Sequence, residues 1–241
     1  MKTLLRQAGL KARQAGLKTR LYVLLALLTC PMASDVAAHG VAASDKDLIT
    51  QGRQLAVFIY LGAKHMVTGY DHLLFLFGVI FFLYRLKDVT LYVTLFAVGH
   101  SITLLYAVMS GTHVNPFIID AIIGLSVVYK ALDNLGAFTR LLGFQPNTKL
   151  AVWIFGLFHG LGLGTKLQDF SLSADGLVPN IVAFNVGVEL GQVLGLGAIL
   201  IAMGFWRRSP GFHRHAFAAN VVVMTCGFIL AGYQLVGYAT Q

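Results

Sequence analysis

The sequence predicts an all-α membrane protein with about six transmembrane helices after a cleavable signal peptide, and three observations carry that expectation. Of the 241 residues, 57% are hydrophobic and only 12% charged, with a mean hydropathy of +0.74; a soluble domain is about 25% charged. Apolar runs long enough to cross a hydrocarbon core of about 30 Å recur along the chain. Between them, Lys and Arg concentrate in every second loop, as the positive-inside rule requires of a multi-pass protein.

Residues 1–38 read as a signal peptide. A basic stretch containing Lys2, Arg6, Lys11, Arg13, Lys18 and Arg20 precedes the apolar run Leu21–Leu28. Pro31 breaks that run, and Val36-Ala37-Ala38 offers small residues for cleavage before His39. The basic stretch repeats itself, Arg6-Gln-Ala-Gly-Leu-Lys11 and Arg13-Gln-Ala-Gly-Leu-Lys18, as a lengthened leader. Cleavage after Ala38 gives His39 a free amine beside its imidazole, a pair able to chelate. Six of the eighteen basic residues lie in this leader, so the net charge of +8 is largely a targeting feature and not a nucleic-acid footprint. Cys30 and Cys226 are the only cysteines, which leaves no disulfide framework and poor support for thiolate ligation.

Residues 39–54 form an exported polar linker with Asp45, Lys46, Asp47 and Arg53, and residues 55–241 a polytopic helical membrane domain. Its apolar segments run near 56–84, 89–109, 115–135, 149–165, 179–206 and 215–238. The first is long enough for a short helix, a break around Thr68-Gly69 and a spanning helix beginning near Asp71. The fourth is the shortest, which fits a helix that is little tilted or one that spans only in part. Arg85 and Lys87 follow the first segment, Arg140 and Lys149 the third, and Arg207, Arg208 and Arg214 the fifth. The remaining loops hold His113, then Lys166 with Asp169 and Asp175. This alternation puts the amino terminus outside. Gly156, Gly160 and Gly164 in the fourth segment, and Gly187, Gly191 and Gly195 in the fifth, recur every fourth residue and predict close helix packing.

Ionisable groups inside such segments demand an explanation, because a charge at the centre of a span costs about 2.5–3.5 kcal/mol on insertion scales. The candidates are His65, Asp71 and His72 in the first segment and His100 with Ser101 and Thr103 in the second. The third carries Asp120, Lys130 and Asp133, the fourth His159, and the fifth Asn185, Glu189 and Gln192. On one continuous helix His65 and His72 share a face, with Asp71 turned about 100° from His72; a break at Gly69 would let all three converge. A single buried histidine is ordinarily a packing residue. Several imidazoles and carboxylates spread over four apolar segments are satisfied together by a cation. Imidazole with carboxylate suits nickel, cobalt, zinc or copper(II). Lys130, Asp133 and Asn134 read as an interfacial structural cluster, Asp120 as a vestibule acid or helix-start residue, and His213 and His215 as solvated. No nucleophile–base pair, phosphate-binding loop or ATPase motif is present, so the chain is not expected to be an enzyme.

Four ordered motifs carry a family resemblance: His65-x5-Asp71-His72, Val98-Gly99-His100-Ser101-Ile102-Thr103-Leu104, Phe155-Gly156-Leu157-Phe158-His159-Gly160-Leu161-Gly162 and Phe184-Asn185-Val186-Gly187-Val188-Glu189-Leu190-Gly191-Gln192. Together they resemble the HupE/UreJ membrane protein family. The resemblance implies a multi-pass nickel or cobalt permease of the bacterial inner (plasma) membrane, associated with hydrogenase or urease maturation, with His65, Asp71, His72 and His159 implicated. Family members best known as nickel permeases carry a glutamate about a turn beyond the histidine of the Phe-His-Gly motif. Gly160–Lys166 contains none, a pattern closer to the second HupE/UreJ branch, with Glu189 on the next helix as substitute carboxylate. The expected metal-site residues are therefore His65, Asp71, His72, His100, His159 and Glu189. The expected partners are the metal ion and the lipid bilayer, with a second copy of the chain or a maturation protein as further candidates, and no cofactor is expected to be permanently bound. The competing readings are a non-catalytic membrane subunit or metal chaperone and a membrane metalloenzyme.

Overall fold

The computed structural model describes residues 53–168 and 175–240. The signal peptide, the His39 amino terminus, Cys30, most of the polar linker and residues 169–174 with Asp169 lie outside the described residues. The rest is helical: α1 (Leu55–Thr68), α2 (Tyr70–Ile80), α3 (Leu86–Ser110), α4 (Pro116–Asn134), α5 (Ala137–Leu142), α6 (Thr148–Gln168), α7 (Leu177–Arg207) and α8 (Phe212–Ala239). Four of these, α3, α6, α7 and α8, are long and apolar enough to cross a membrane. Helix α4 has 19 residues and carries Asp120, Lys130 and Asp133. The fourth and shortest apolar segment is the 21-residue α6, whose helix continues past the apolar run through Lys166-Leu167-Gln168.

Local chemistry sets the boundaries. Gly69 takes an extended conformation with ψ 102° and divides α1 from α2 where the sequence predicts a break. Asn115 caps α4, its side chain accepting from the Phe117 and Ile118 amides at 3.0 and 3.4 Å, and Pro116 at the first helical position lacks the amide that would need a partner. Gly111, at φ 66°, closes α3 in a left-handed turn. The 11-residue α2 ends among buried side chains, where its free carbonyls must be satisfied internally. Arg207 donates to the Ile80 carbonyl and, at 2.9 Å, to that of Phe81, and Asn134 donates to that of Gly78 at 2.8 Å. Asn134 also donates to Asn220 at 2.9 Å, tying α2, α4 and α8 together at one end of the bundle.

Three close helix pairs build the bundle, each with glycine at its crossing. On α1 and α7, a methyl at Gly62 would overlap the Phe184 carbonyl oxygen and one at Gly187 that of Ile59. On α3 and α6, methyls at Gly156 and Gly160 would overlap the carbonyl oxygens of Phe96 and His100. On α4 and α8, Gly124 and Gly227 face each other's backbones, with a methyl on either falling 3.0 or 2.9 Å from the other's carbonyl oxygen. The order of these contacts makes α1 parallel to α7, α3 parallel to α6, and α4 antiparallel to α8. Helix α2 threads between them, with Phe75, Leu76, Val79 and Ile80 fully buried. Gly160→Val should therefore destabilise the purified protein by about 1–3 kcal/mol or more. Gly197→Ala, where nothing lies within 4 Å, should be neutral. Thermal unfolding in detergent checks both.

Candidate metal centre

The break at Gly69 decides what the first apolar segment can do. His65 ends up in the last turn of α1, and Asp71 and His72 in the first turn of α2. The three no longer follow the angular spacing of one helix. A side chain at Gly69 would sit 2.8 Å from His72 Nδ1 and 3.2 Å from Asp71 Oδ1, so the residue that breaks the helix also leaves room for the pair. His72 Nδ1 lies 3.2 Å from Asp71 Oδ1, the arrangement in which a carboxylate orients an imidazole and raises its basicity as a ligand.

Helices α3 and α6 add His100 and His159. Their position follows from the glycine crossing, where Gly160 rests on the His100 carbonyl and brings the two helices into backbone contact. His72 occupies the centre of the four rings. Its centroid is 4.9 Å from His65, 4.8 Å from His159 and 6.0 Å from His100. All four histidines and Asp71 are buried, none more than 4% exposed. Phe96 packs edge-on against His159 at 4.9 Å, with Phe75 at 5.6 Å, and these rings keep the neighbourhood apolar. His159 Nδ1 faces His72 Nε2 at 3.4 Å, and its Nε2 meets Ser126 Oγ at 3.4 Å. Neither ring nitrogen of His100 has a hydrogen-bond partner among the described residues.

Ligand atoms within 4.8 Å of one another fall into two groups, His65 with His72 and His100, and Asp71 with His72 and His159. His72 belongs to both. Metal–imidazole bonds of about 2.0–2.1 Å place ligand atoms roughly 3–4 Å apart, so either group closes on a small divalent ion with sub-ångström side-chain shifts. In the neutral imidazole of His100 the unprotonated nitrogen keeps a lone pair that no described residue engages, as a metal donor needs.

The profile of the HupE / UreJ protein family matches residues 42–241. The chain belongs to the HupE/UreJ family. None of the curated proteins and none of the solved structures compared matches it. The family is associated with nickel and cobalt transport.

In this HupE/UreJ protein the sequence-derived ligand set divides. His65, Asp71, His72, His100 and His159 converge, whereas Glu189 is exposed on the outer face of α7. Gly187 and Gly191 both face α1, and a residue two positions from each is turned roughly 200° away, so the ladder itself directs Glu189 outward. Asn185 is buried; its amide donates to the Ile181 carbonyl at 3.0 Å, and its Oδ1 has no hydrogen-bond partner among the described residues. Gln192 donates to the Val93 carbonyl at 3.3 Å, bracing α7 on α3. Asp120 does not stand alone as a vestibule acid, since Lys166 of α6 donates to its Oδ2 at 2.6 Å. Lys130 is buried and paired with Asp133, which also receives Gln145. His213 and His215 are exposed in the first turn of α8.

The sequence reading passed over Ser126 and Phe96, which contact His159, because a serine or phenylalanine in an apolar helix carries no chemical signal. His100→Leu should leave thermal stability unchanged or slightly raised, because it removes a buried polar ring that forms no hydrogen bond, while weakening nickel binding about tenfold or more. Melting curves and calorimetric titration of one preparation read both effects.

Proposed function

We propose that the protein carries a divalent transition-metal ion, nickel in the first instance, inward across the bacterial plasma membrane. One observation bears most of the weight: four helical segments bring four imidazoles and one carboxylate to a buried locus, in two ligand groups that share His72. The donor set favours nickel, cobalt, zinc and copper(II) over calcium or magnesium, which take oxygen ligands, and over copper(I), which takes sulfur. Membership of a family associated with nickel and cobalt transport supports the narrower choice.

Within this reading the chain makes six passes, α1 and α2 together counting as the first and α4 as the third. Basic residues follow α2, α4 and α7, and the positive-inside rule assigns that end of the bundle to the cytoplasm and the amino terminus to the outside. A site whose ligands are all buried among the described residues suits a carrier and not an open channel. Two incomplete groups, each offering three protein ligands, suit an ion that must be released, because a closed cage holds its metal. Asp71 supplies the negative charge that offsets part of a dication's charge, and the neutral imidazoles supply the remaining ligands. A metalloenzyme would instead keep its metal through purification, and a chaperone would not move it across a sealed membrane.

In proteoliposomes, nickel uptake should fall at least tenfold in His72→Ala and His159→Ala, with cobalt competing and magnesium not. Undiminished uptake by well-folded variants would sink the assignment.

A further inference from the structure

The histidine cluster lies within a repetition that the sequence carries only in short matches. Gly62-x-x-His65 on α1 recurs as Gly156-x-x-His159 on α6, and Phe96-x-Val98-Gly99 on α3 recurs as Phe184-x-Val186-Gly187 on α7. Each match is too brief to mean anything alone. The contacts between them correspond one for one. Gly62 rests on the Phe184 carbonyl, and its counterpart Gly156 rests on that of Phe96, the counterpart of Phe184. Gly187 rests on the Ile59 carbonyl and Gly99 on that of Trp153, and Ile59 and Trp153 each lie three residues before the paired glycines Gly62 and Gly156. Where Gly191 abuts Ala63, the equivalent Thr103 donates to the Leu157 carbonyl at 2.6 Å.

The rest of the bundle obeys the same exchange. Swapping α1 with α6, α3 with α7 and α4 with α8 turns the α1/α7 pair into the α6/α3 pair, both parallel, and returns the antiparallel α4/α8 pair to itself. Gly124 and Gly227 meet reciprocally at the crossing of that last pair, as residues beside a twofold axis do. Helix α1 runs opposite to α6, so the two halves, residues 55–134 and 148–239, have inverted topology. His65 and His159 are equivalents under this exchange, and each also packs against an equivalent phenylalanine, Phe184 at 6.1 Å and Phe96 at 4.9 Å. His72 stands between them with matching geometry, its ring 4.9 Å from His65 at 77° and 4.8 Å from His159 at 79°. Helix α2 has no counterpart in the second half, so the pair Asp71–His72 is single and central, and His100 corresponds to Val188.

We propose that the protein is an inverted repeat in which His65 and His159 are equivalent ligands on opposite sides of a shared His72, with the α1/α7 and α3/α6 seams opening alternately to the two faces of the membrane. This rests on the transport reading above. Inverted repeats place their substrate site at the repeat interface and expose it to either side by the movement of one half against the other. The glycine crossing of α1 and α7, at Ile59, Gly62, Phe184 and Gly187, lies in the first half of the pass formed by α1 and α2 together and in the first half of α7, toward the end assigned to the outside. That of α3 and α6 begins at Phe96, Trp153 and Gly156, in the first half of those helices and toward the cytoplasm, and runs on past their middles to His100 and Gly160. His65 therefore receives the ion from the outer seam, His72 holds it in both ligand groups, and His159 delivers it to the inner seam. At the glycine crossings the helices meet backbone against backbone, so each pair can move as a unit.

The test uses the full chain in right-side-out and inside-out vesicles. His65→Ala should slow binding of radioactive nickel to the protein from the outer face about tenfold or more relative to binding from the inner face, with net flux falling in both directions. His159→Ala should show the mirror image, and His72→Ala should lose binding from both faces. In a background with Cys30 and Cys226 replaced by serine, Ala63→Cys should react with a membrane-impermeant maleimide from the outer face only, and Leu157→Cys from the inner face only. Equal losses of binding from both faces in His65→Ala and His159→Ala, reaction of both cysteines from one face, or reaction of neither, overturns the proposal. Opposite-sided labelling in a protein that loads no nickel would instead defeat the metal reading and leave the repeat standing.

Discussion

Backbone-to-backbone contact at the glycine crossings is the constraint on which the rest of this structure depends. In a bilayer no hydrophobic force drives one apolar helix onto another, so association relies on close packing and internal hydrogen bonds. Here Gly62 and Gly187 join α1 to α7, Gly99, Gly156 and Gly160 join α3 to α6, and Gly124 and Gly227 join α4 to α8. Each close approach fixes axial register as well as distance. His65 and His159 each lie three residues beyond such a glycine, and His100 offers its own carbonyl as the surface on which Gly160 rests. The ligands are held by the same contacts that hold the helices.

What the crossings leave at the centre is chemically unusual for a membrane interior. Polar groups there are ordinarily consumed by hydrogen bonds, as Thr103 is by the Leu157 carbonyl and Asn134 by Gly78 and Asn220. The histidine cluster is different. Asp71 orients His72 and Ser126 touches His159, but among the described residues His100 forms no hydrogen bond through either nitrogen. Burying a polar ring without compensation is unfavourable unless something else occupies its lone pair. A dication satisfies the whole set at once, and the sharing of His72 gives it two adjacent positions instead of one deep well.

Glycine also explains why one short helix matters out of proportion to its length. Gly69 ends α1, leaves space beside His72 and Asp71, and turns α2 into the middle of the bundle. Arg207 and Asn134 then satisfy the carbonyls at the far end of α2, so an 11-residue helix can finish inside the protein without exposed backbone. This is the element absent from the second half of the repeat, and it carries the residues on which both ligand groups depend.

The sequence by itself determined the helical membrane class, the position of every long helix to within a few residues and the break at Gly69, and it offered that break as the way for His65, Asp71 and His72 to approach one another. Hydropathy, loop charge and the cost of buried ionisable groups are local properties, legible without coordinates. It also implicated His100 and His159 by residue type. Only the tertiary structure decided that these join in two groups around His72, that Lys166 neutralises Asp120, and that Glu189 faces outward although its chemistry fits a metal site. The physical reason is that helix periodicity gives relative angles within one helix, whereas which face meets which neighbour depends on packing between segments far apart in the chain. The glycine ladders named the faces that would be close; the crossings decided which helices they belonged to, and with that which histidines could meet.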